Sequence, residues 1–170
     1  MREEISLREL FPRGECLDIL IGPQGYRLWE SPWRHNLIAE ELRRVLAALL
    51  RGDPQGAPLA FWAVGTGEEA WDDGTLPSEE AHRTRTQLFN ETGCKAIPSG
   101  QMTFLGGDFT NRLEISLEFT TADIPPGPDS QNWRLREFGL FAGGTDSVNS
   151  GILINHRIHP RIDMQAGFTL

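Results

Sequence analysis

Residues 133–141 read WRLREFGLF. At first, apolar and charged residues alternate, as they do in a strand with one buried face. Trp133 and Leu135 share that face, but Phe138 and Leu140 fall on the other. A strand that changes sides without a turn residue needs a bulge or break, and Arg136-Glu137 is the natural place for it. Gly139 permits a close backbone approach or a bulge. Glu137 sits at the slip itself. It is either partly buried and bonded to backbone N–H groups, or plainly exposed, and the pattern leaves both open.

Strands surround this segment. In Arg112–Phe119, Leu113, Ile115, Leu117 and Phe119 alternate with Arg112, Glu114, Ser116 and Glu118. That reads as a half-buried antiparallel strand with one wet face. Asp123–Asn132 carries three prolines and reads as a loop. Downstream, a Gly-, Ser- and Asn-rich turn (Gly143–Gly151) leads into a strand over Ile152–Ile158. The chain closes on Gly167-Phe168-Thr169-Leu170, an apolar strand start. Upstream, Leu59–Val64 (LAFWAV) is wholly apolar and reads as a strand buried on both faces, ended by Gly65-Thr66-Gly67. A long loop, Glu68–Pro77, precedes a short helix over Ser78–Asn90 that Ser78 can cap.

Helical periodicity predicts one long helix over Ser31–Arg51. Ser31 is its cap, Pro32 its first residue, and Ile38, Leu42, Val45, Leu46 and Leu49 its apolar face. Gly52 and Pro54 end it. Residues 1–30 read as an arm. In it, Leu17–Ile21, interrupted only by Asp18, and Tyr26–Trp29 flank the turn Gly22–Gly25 as a possible hairpin. Such a hairpin is marginal alone and needs a body to rest on. The class expected is α+β: a mainly antiparallel sheet or sandwich over residues 31–170, one long helix packed on it, and the N-terminal arm.

The 18 glycines and 11 prolines favour short strands and many turns. The formal net charge of −8 repels phosphate backbones, so nucleic-acid binding is disfavoured. No apolar run approaches the roughly 20 residues of a membrane span. Met1-Arg2-Glu3-Glu4 is unlike a secretion signal, so assembly in the cytoplasm is expected. Cys16 and Cys94 could pair, but two separate thiols in a reducing cytosol is the favoured reading.

No side chains assemble into recognisable chemistry. His156 and His159 lie three apart on a strand, so they point to opposite faces, lack a third metal ligand and read as surface polar residues. Asp72-Asp73-Gly74 lacks calcium-loop spacing and reads as a solvated turn. Gly65-Thr66-Gly67 lacks the Lys-Ser/Thr of a phosphate loop. Cys94 beside Lys95 has no histidine near in sequence, and no GxSxG elbow occurs. The chain is therefore expected to be no enzyme, with no catalytic, cofactor or metal residue. Of the five tryptophans, Trp62 looks like core. Trp29, Trp33 and Trp71 lie in or beside loops, where they anchor a protein contact, stack on a sugar or fill the chain's own core.

Taken in order, several stretches resemble the phage tail and tail-fibre (tail-collar-like) or baseplate proteins, which also occur in contractile injection systems. These are Asn36-Leu37-Ile38-Ala39 through Leu50, Phe61-Trp62-Ala63-Val64-Gly65-Thr66-Gly67 and Leu76–Glu79 with an Arg at 83 or 85. Leu135–Phe141, similar to an "E-x-G-L-F" strand, and Gly151–Ile158 complete the series. The resemblance covers residues 36–170. It implies a structural component, an adaptor at the baseplate or fibre-attachment end. Such an adaptor would bind other tail, baseplate or fibre proteins and itself, in a threefold or sixfold setting. Gly65, Gly67, Glu137, Gly139 and Phe141 would be structural in it, and it carries over no catalytic residue. The arm departs from the family pattern. So does the family's final long strand, which is cut short at Leu170 and left as an edge for a neighbour to complete. The alternative is a carbohydrate- or receptor-binding module using exposed tryptophans.

Overall fold

The computed structural model describes residues 12–108, 110–124 and 133–170. Most of the proline-rich loop expected over Asp123–Asn132 lies outside them. The arm contains β1 (Glu15–Cys16), β2 (Ile19–Ile21) and β3 (Arg27–Glu30), and β4 (Arg34–His35) and β5 (Leu37–Ile38) follow it. Then come α1 (Glu41–Arg51), β6 (Leu59–Gly65), a 3-10 turn (Glu69–Asp73), α2 (Glu79–Arg83) and β7 (Glu91–Ala96). β8 (Met102–Phe104), β9 (Leu113–Ile115), β10 (Trp133–Ala142) and β11 (Ile152–Met164) complete the described elements. The class is α+β and mainly antiparallel β, as expected. The central sheet has the order β5-β11-β10-β6-β7, and β1-β4, β2-β3 and β8-β9 form separate two-stranded ribbons.

β10 lies at the centre of that sheet, and its register against β11 shifts between Leu135 and Glu137, where the bulge was expected. The shift returns Phe138 to the side of Trp133 and Leu135. All three join one core cluster with Cys16, Val64, Phe119, Ile162 and Met164. From Phe138 onward the alternation in β10 is regular against β6, so Phe141, three residues on, falls on the other face in a cluster with Ala39, Ala63, Leu88 and Leu153. Ala63 and Val64 are adjacent in β6 yet belong to different clusters, as strand alternation requires. The sheet is thus covered on both faces. β6 itself is fully buried only over Ala63–Gly65 and half-buried before that.

The long helix begins ten residues later than its periodicity suggested. Ser31 does not cap it. Its hydroxyl accepts from the Asp18 backbone N–H at 2.9 Å, and its own N–H donates to the Asp18 carbonyl at 2.9 Å. Leu37 and Ile38 pair with His156 and Asn155 of β11. Residues 31–38 therefore find strand partners far along the chain, and this pairing overrides local helical periodicity. The end of the helix is as expected: Gly52 adopts φ 69° and its N–H closes on Ala48 and Leu49 carbonyls. Only Val45 of α1 is fully buried, and Leu50 is 91% exposed.

Arg112–Phe119 is a strand only over Leu113–Ile115, in a ribbon where Leu113 faces Phe104. Burial deepens along its apolar side from exposed Leu113 to buried Phe119. The edge expected at Leu170 is already paired. Leu170 and Phe119 exchange backbone hydrogen bonds at 2.8 and 2.7 Å, and Thr169 and Ile21 do so at 2.9 and 2.8 Å. Phe168 and Leu170 pack on the first core cluster and account for this closure. The arm hairpin forms as β2-β3, with Leu20 opposite Trp29, and it rests on the body through Leu20 and Cys16.

Candidate functional site

The expected site residues separate into an interior group and an exposed group. Glu137 anchors the interior group. The bulge brings its fully buried carboxylate under the turn before β7, where it accepts from Phe89 N–H (3.0 Å) and Asn90 N–H (2.7 Å). It is also 2.9 Å from His156 Nε2. Burial alone would raise this carboxyl. The His156 bond and the two amides outweigh it and hold the group below its ordinary value. Nε2 donates in that bond, and among the described residues the buried Nδ1 has no hydrogen-bond partner.

The glycines make room for this arrangement. A Cβ on Gly65 would stand 2.7 Å from Glu137 Oε1 and 2.6 Å from the Asn90 carbonyl. One on Gly139 would meet Leu153 Cδ1 at 2.6 Å. Gly67 has φ +54°, and its Cβ would lie 2.1 Å from the Trp71 ring. Trp71 is buried rather than a loop-borne contact, because the 3-10 turn folds it inward against Phe89, ring edge to face at 5.1 Å. Phe141 is buried with this group. Gly65, Gly67, Trp71, Glu137, Gly139 and Phe141 are thus packing and hydrogen-bonding residues of the interior.

His156 and His159 lie on opposite faces as the spacing required, but neither is on the surface: they are 0% and 5% exposed. His156 is covered by His82 of α2 and by Phe89, and His159 stacks on Phe138. Asp72 is not merely a solvated turn residue. It takes Arg136 Nε and Nη2 at 2.9 and 2.8 Å and Arg161 Nη1 at 3.2 Å, and the Arg136 guanidinium holds its carboxyl below the ordinary range. Cys16 and Cys94 are both free thiols. Burial pushes Cys16 up although Arg157 Nη1 lies 2.6 Å from its sulfur. Among the described residues, no three His, Cys, Asp or Glu side chains form a group that could hold a metal. No helix among them is long and apolar enough to cross a membrane.

A cleft of about 830 Å³ opens beside the interior group. Leu42 and Leu46 of α1, Leu76-Pro77, His82 and His156 are among the residues that line it. The exposed group lies along the arm and just beyond it: Trp29 is 36% exposed, with Tyr26 and Leu28 in the open beside it, and Trp33, past the arm, is 64% exposed.

Three features escaped the sequence reading. Asp18 and Arg157 form a buried ion pair at 3.2 Å, and the lone acid in the apolar run Leu17–Ile21 was the available sign of it. The pairing of His82 with His156 had no local signal. Neither had Glu91, which burial pushes up to about 7, against the pull of the Asn149 backbone hydrogen bond and with help from Glu137. Its folded value lies above the ordinary 4.5, so the folded state holds the proton more tightly. The penalty on folding is absent below pH 4.5, grows between 4.5 and 7, and is complete above 7. Glu91→Gln is therefore expected to stabilise the fold by about 1–2 kcal/mol at pH 8 and hardly at all at pH 5. Urea midpoints at the two pH values test this, and an equal shift at both would refute it.

No protein-family model, curated protein or solved structure matches this chain.

Proposed function

We propose that this chain is a structural, non-enzymatic component of a phage tail or phage-tail-like contractile injection particle, an adaptor at the baseplate or fibre-attachment end. The observation that carries the reading is the division of labour among the residues of the resemblance. The Gly65–Gly67 turn and the Glu137-x-Gly139 strand serve the interior of a braced sheet. Meanwhile residues 26–33, which lie outside the resemblance, display Tyr26, Leu28 and Trp29 on the arm and Trp33 just after it. Exposed aromatics on a rigid body suit anchoring between proteins. Glu137 and His156 have no exposed surface for a substrate, which supports a non-enzymatic role. The partners are other tail, baseplate or fibre proteins and further copies of this chain in a threefold or sixfold ring, assembled in the cytoplasm.

The test is mass spectrometry of intact tail-like particles from the producing cell, with copy number taken relative to the tube protein. A fixed, low copy number divisible by three is the expected result. Trp33→Ser, at an exposed site, is expected to leave the unfolding midpoint unchanged and to reduce incorporation several-fold. Absence of the chain from the particles would overturn the reading. In that event a sugar- or receptor-binding module, favoured by the same open Tyr26 and Trp33 rings, takes first place. Quenching of tryptophan fluorescence by added sugars would support it.

A further inference from the structure

α2 is weakly held. None of its residues is buried. The Glu40 N–H donates to the Arg83 carbonyl at 3.1 Å, and the His82 ring stands edge-on to His156 with centroids 4.2 Å apart. Elements with few buried contacts open locally at low free-energy cost. The chain on the C-terminal side is pinned. Arg85 donates to the Gln87 and Leu88 carbonyls and lies over Phe89, and Glu137 holds the Phe89 and Asn90 amides. A hinge therefore falls at Thr84-Arg85, with the loop around Leu76-Pro77 as the free side.

A ring-to-ring contact of α2 joins two imidazoles whose nitrogens His82 Nε2 and His156 Nδ1 are buried with no hydrogen-bond partner among the described residues. Such a pair is tolerable while His82 is neutral and costly once it is charged. The charged groups around it are placed as follows. Glu79 and Arg83, on α2 itself, pair with each other at the surface. Arg85 follows on the hinge. Glu137 of β10 already takes three donors. Glu40 and Arg43 from the start of α1, and Arg13 and His35 from the arm, line the same cleft.

We propose that α2 is a proton-operated flap: a proton on His82 sets a cation against the His156 ring, and α2 swings away from β11 and opens the cleft toward α1. Burial, aided by His156 and Arg85, drives His82 down to about 4 from its ordinary 6.5, against the smaller pull of Glu137 and Glu79. Opening restores an ordinary histidine, so it takes up a proton. The flap is closed above pH 6.5 and loses ground as pH falls from 6.5 toward 4. A difference of this size changes the opening equilibrium by roughly 100-fold across that window. The inference does not depend on the tail reading.

Hydrogen exchange of the full chain at several pH values between 7.5 and 4.5, corrected for intrinsic rates, tests the flap. Protection over residues 78–84 is expected to fall by about tenfold to 100-fold while β10 and β11 hold theirs. His82→Phe keeps an aromatic ring that cannot titrate, and its α2 is expected to stay protected throughout. Constant protection in the natural chain, or the same acid loss in His82→Phe, would overturn the proposal. If His82→Phe fails to fold, the carbon-13 NMR titration of His82 in the natural chain decides. Titration below pH 5 supports the flap, and titration near 6.5 with α2 still protected refutes it.

Discussion

Glu137→Ala is expected to lower the unfolding free energy by about 3–5 kcal/mol, among the larger effects of any single change in this protein. The reason is the set of groups left behind. The Phe89 and Asn90 amides, which are part-buried, and the fully buried His156 Nε2 all lose their acceptor. Each orphaned buried donor costs about 1–3 kcal/mol. Glu137→Gln keeps one acceptor oxygen but turns an amide NH₂ toward a donor, so about half the loss is expected. The carboxyl is held below its ordinary 4.5, so its contribution is complete above that pH and drains away as pH falls below it. Both variants should therefore flatten the acid limb of the stability profile as well as lower its plateau. Urea unfolding from pH 7 to pH 3 measures both effects. Glu79→Gln, at a side chain 73% exposed, serves as control and should change stability by less than about 0.5 kcal/mol. A Glu137→Ala loss under about 1 kcal/mol would mean that water or a local shift satisfies the amides.

The same carboxylate shows why part of this fold could be read from one dimension and part could not. A slip in strand period is written into consecutive residues, so the bulge at Arg136-Glu137 and the buried alternative for Glu137 were both accessible. Local stop signals were equally readable, and Gly52 ends α1 where expected. Residues 31–38 misled because their helical spacing is local while their strand partners in β1 and β11 lie far off in sequence. Arg112–Phe119 misled in the opposite sense. Its alternation is real, but its outer end has only a two-stranded ribbon to join, so burial arrives only toward Phe119. Trp71 read as loop-borne and His156 as a surface polar residue, while His82 carried no signal at all. Their burial follows from the 3-10 turn and from α2, neither of which announces where it packs. Trp29 and Trp33 are open to solvent, and for Trp29 the reason is that a two-stranded hairpin has too little surface to bury its own aromatics.

Asp18→Ala is expected to cost about 3–5 kcal/mol and to detach the arm first. Asp18 lies 3.2 Å from Arg157 Nη2, and both side chains are nearly sealed from solvent, at 8% and 3% exposure. Arg157 Nη1 also donates to the Cys16 carbonyl at 3.3 Å, so one guanidinium on β11 ties down both sides of the β1–β2 corner. Removing Asp18 leaves that guanidinium buried without its counter-charge, and relief comes only by letting in water. Water can enter only if the arm lifts, which would carry Leu20 and Cys16 away from the core cluster they share with Phe138 and Met164. The double variant Asp18→Leu/Arg157→Met removes the charges together and is expected to recover most of the loss, since a buried pair is worth little more than well-packed apolar side chains. Denaturation of the natural chain, Asp18→Ala and the double variant, with proteolytic nicking within residues 12–36, separates the two stages. Asp18→Ala should be nicked in the arm under conditions where the sheet stays folded, and the double variant should resist. If the double variant proves as unstable as the single one, the ion pair is not what holds the arm. The apolar contacts of Leu20 and Phe168 would then have to carry it alone.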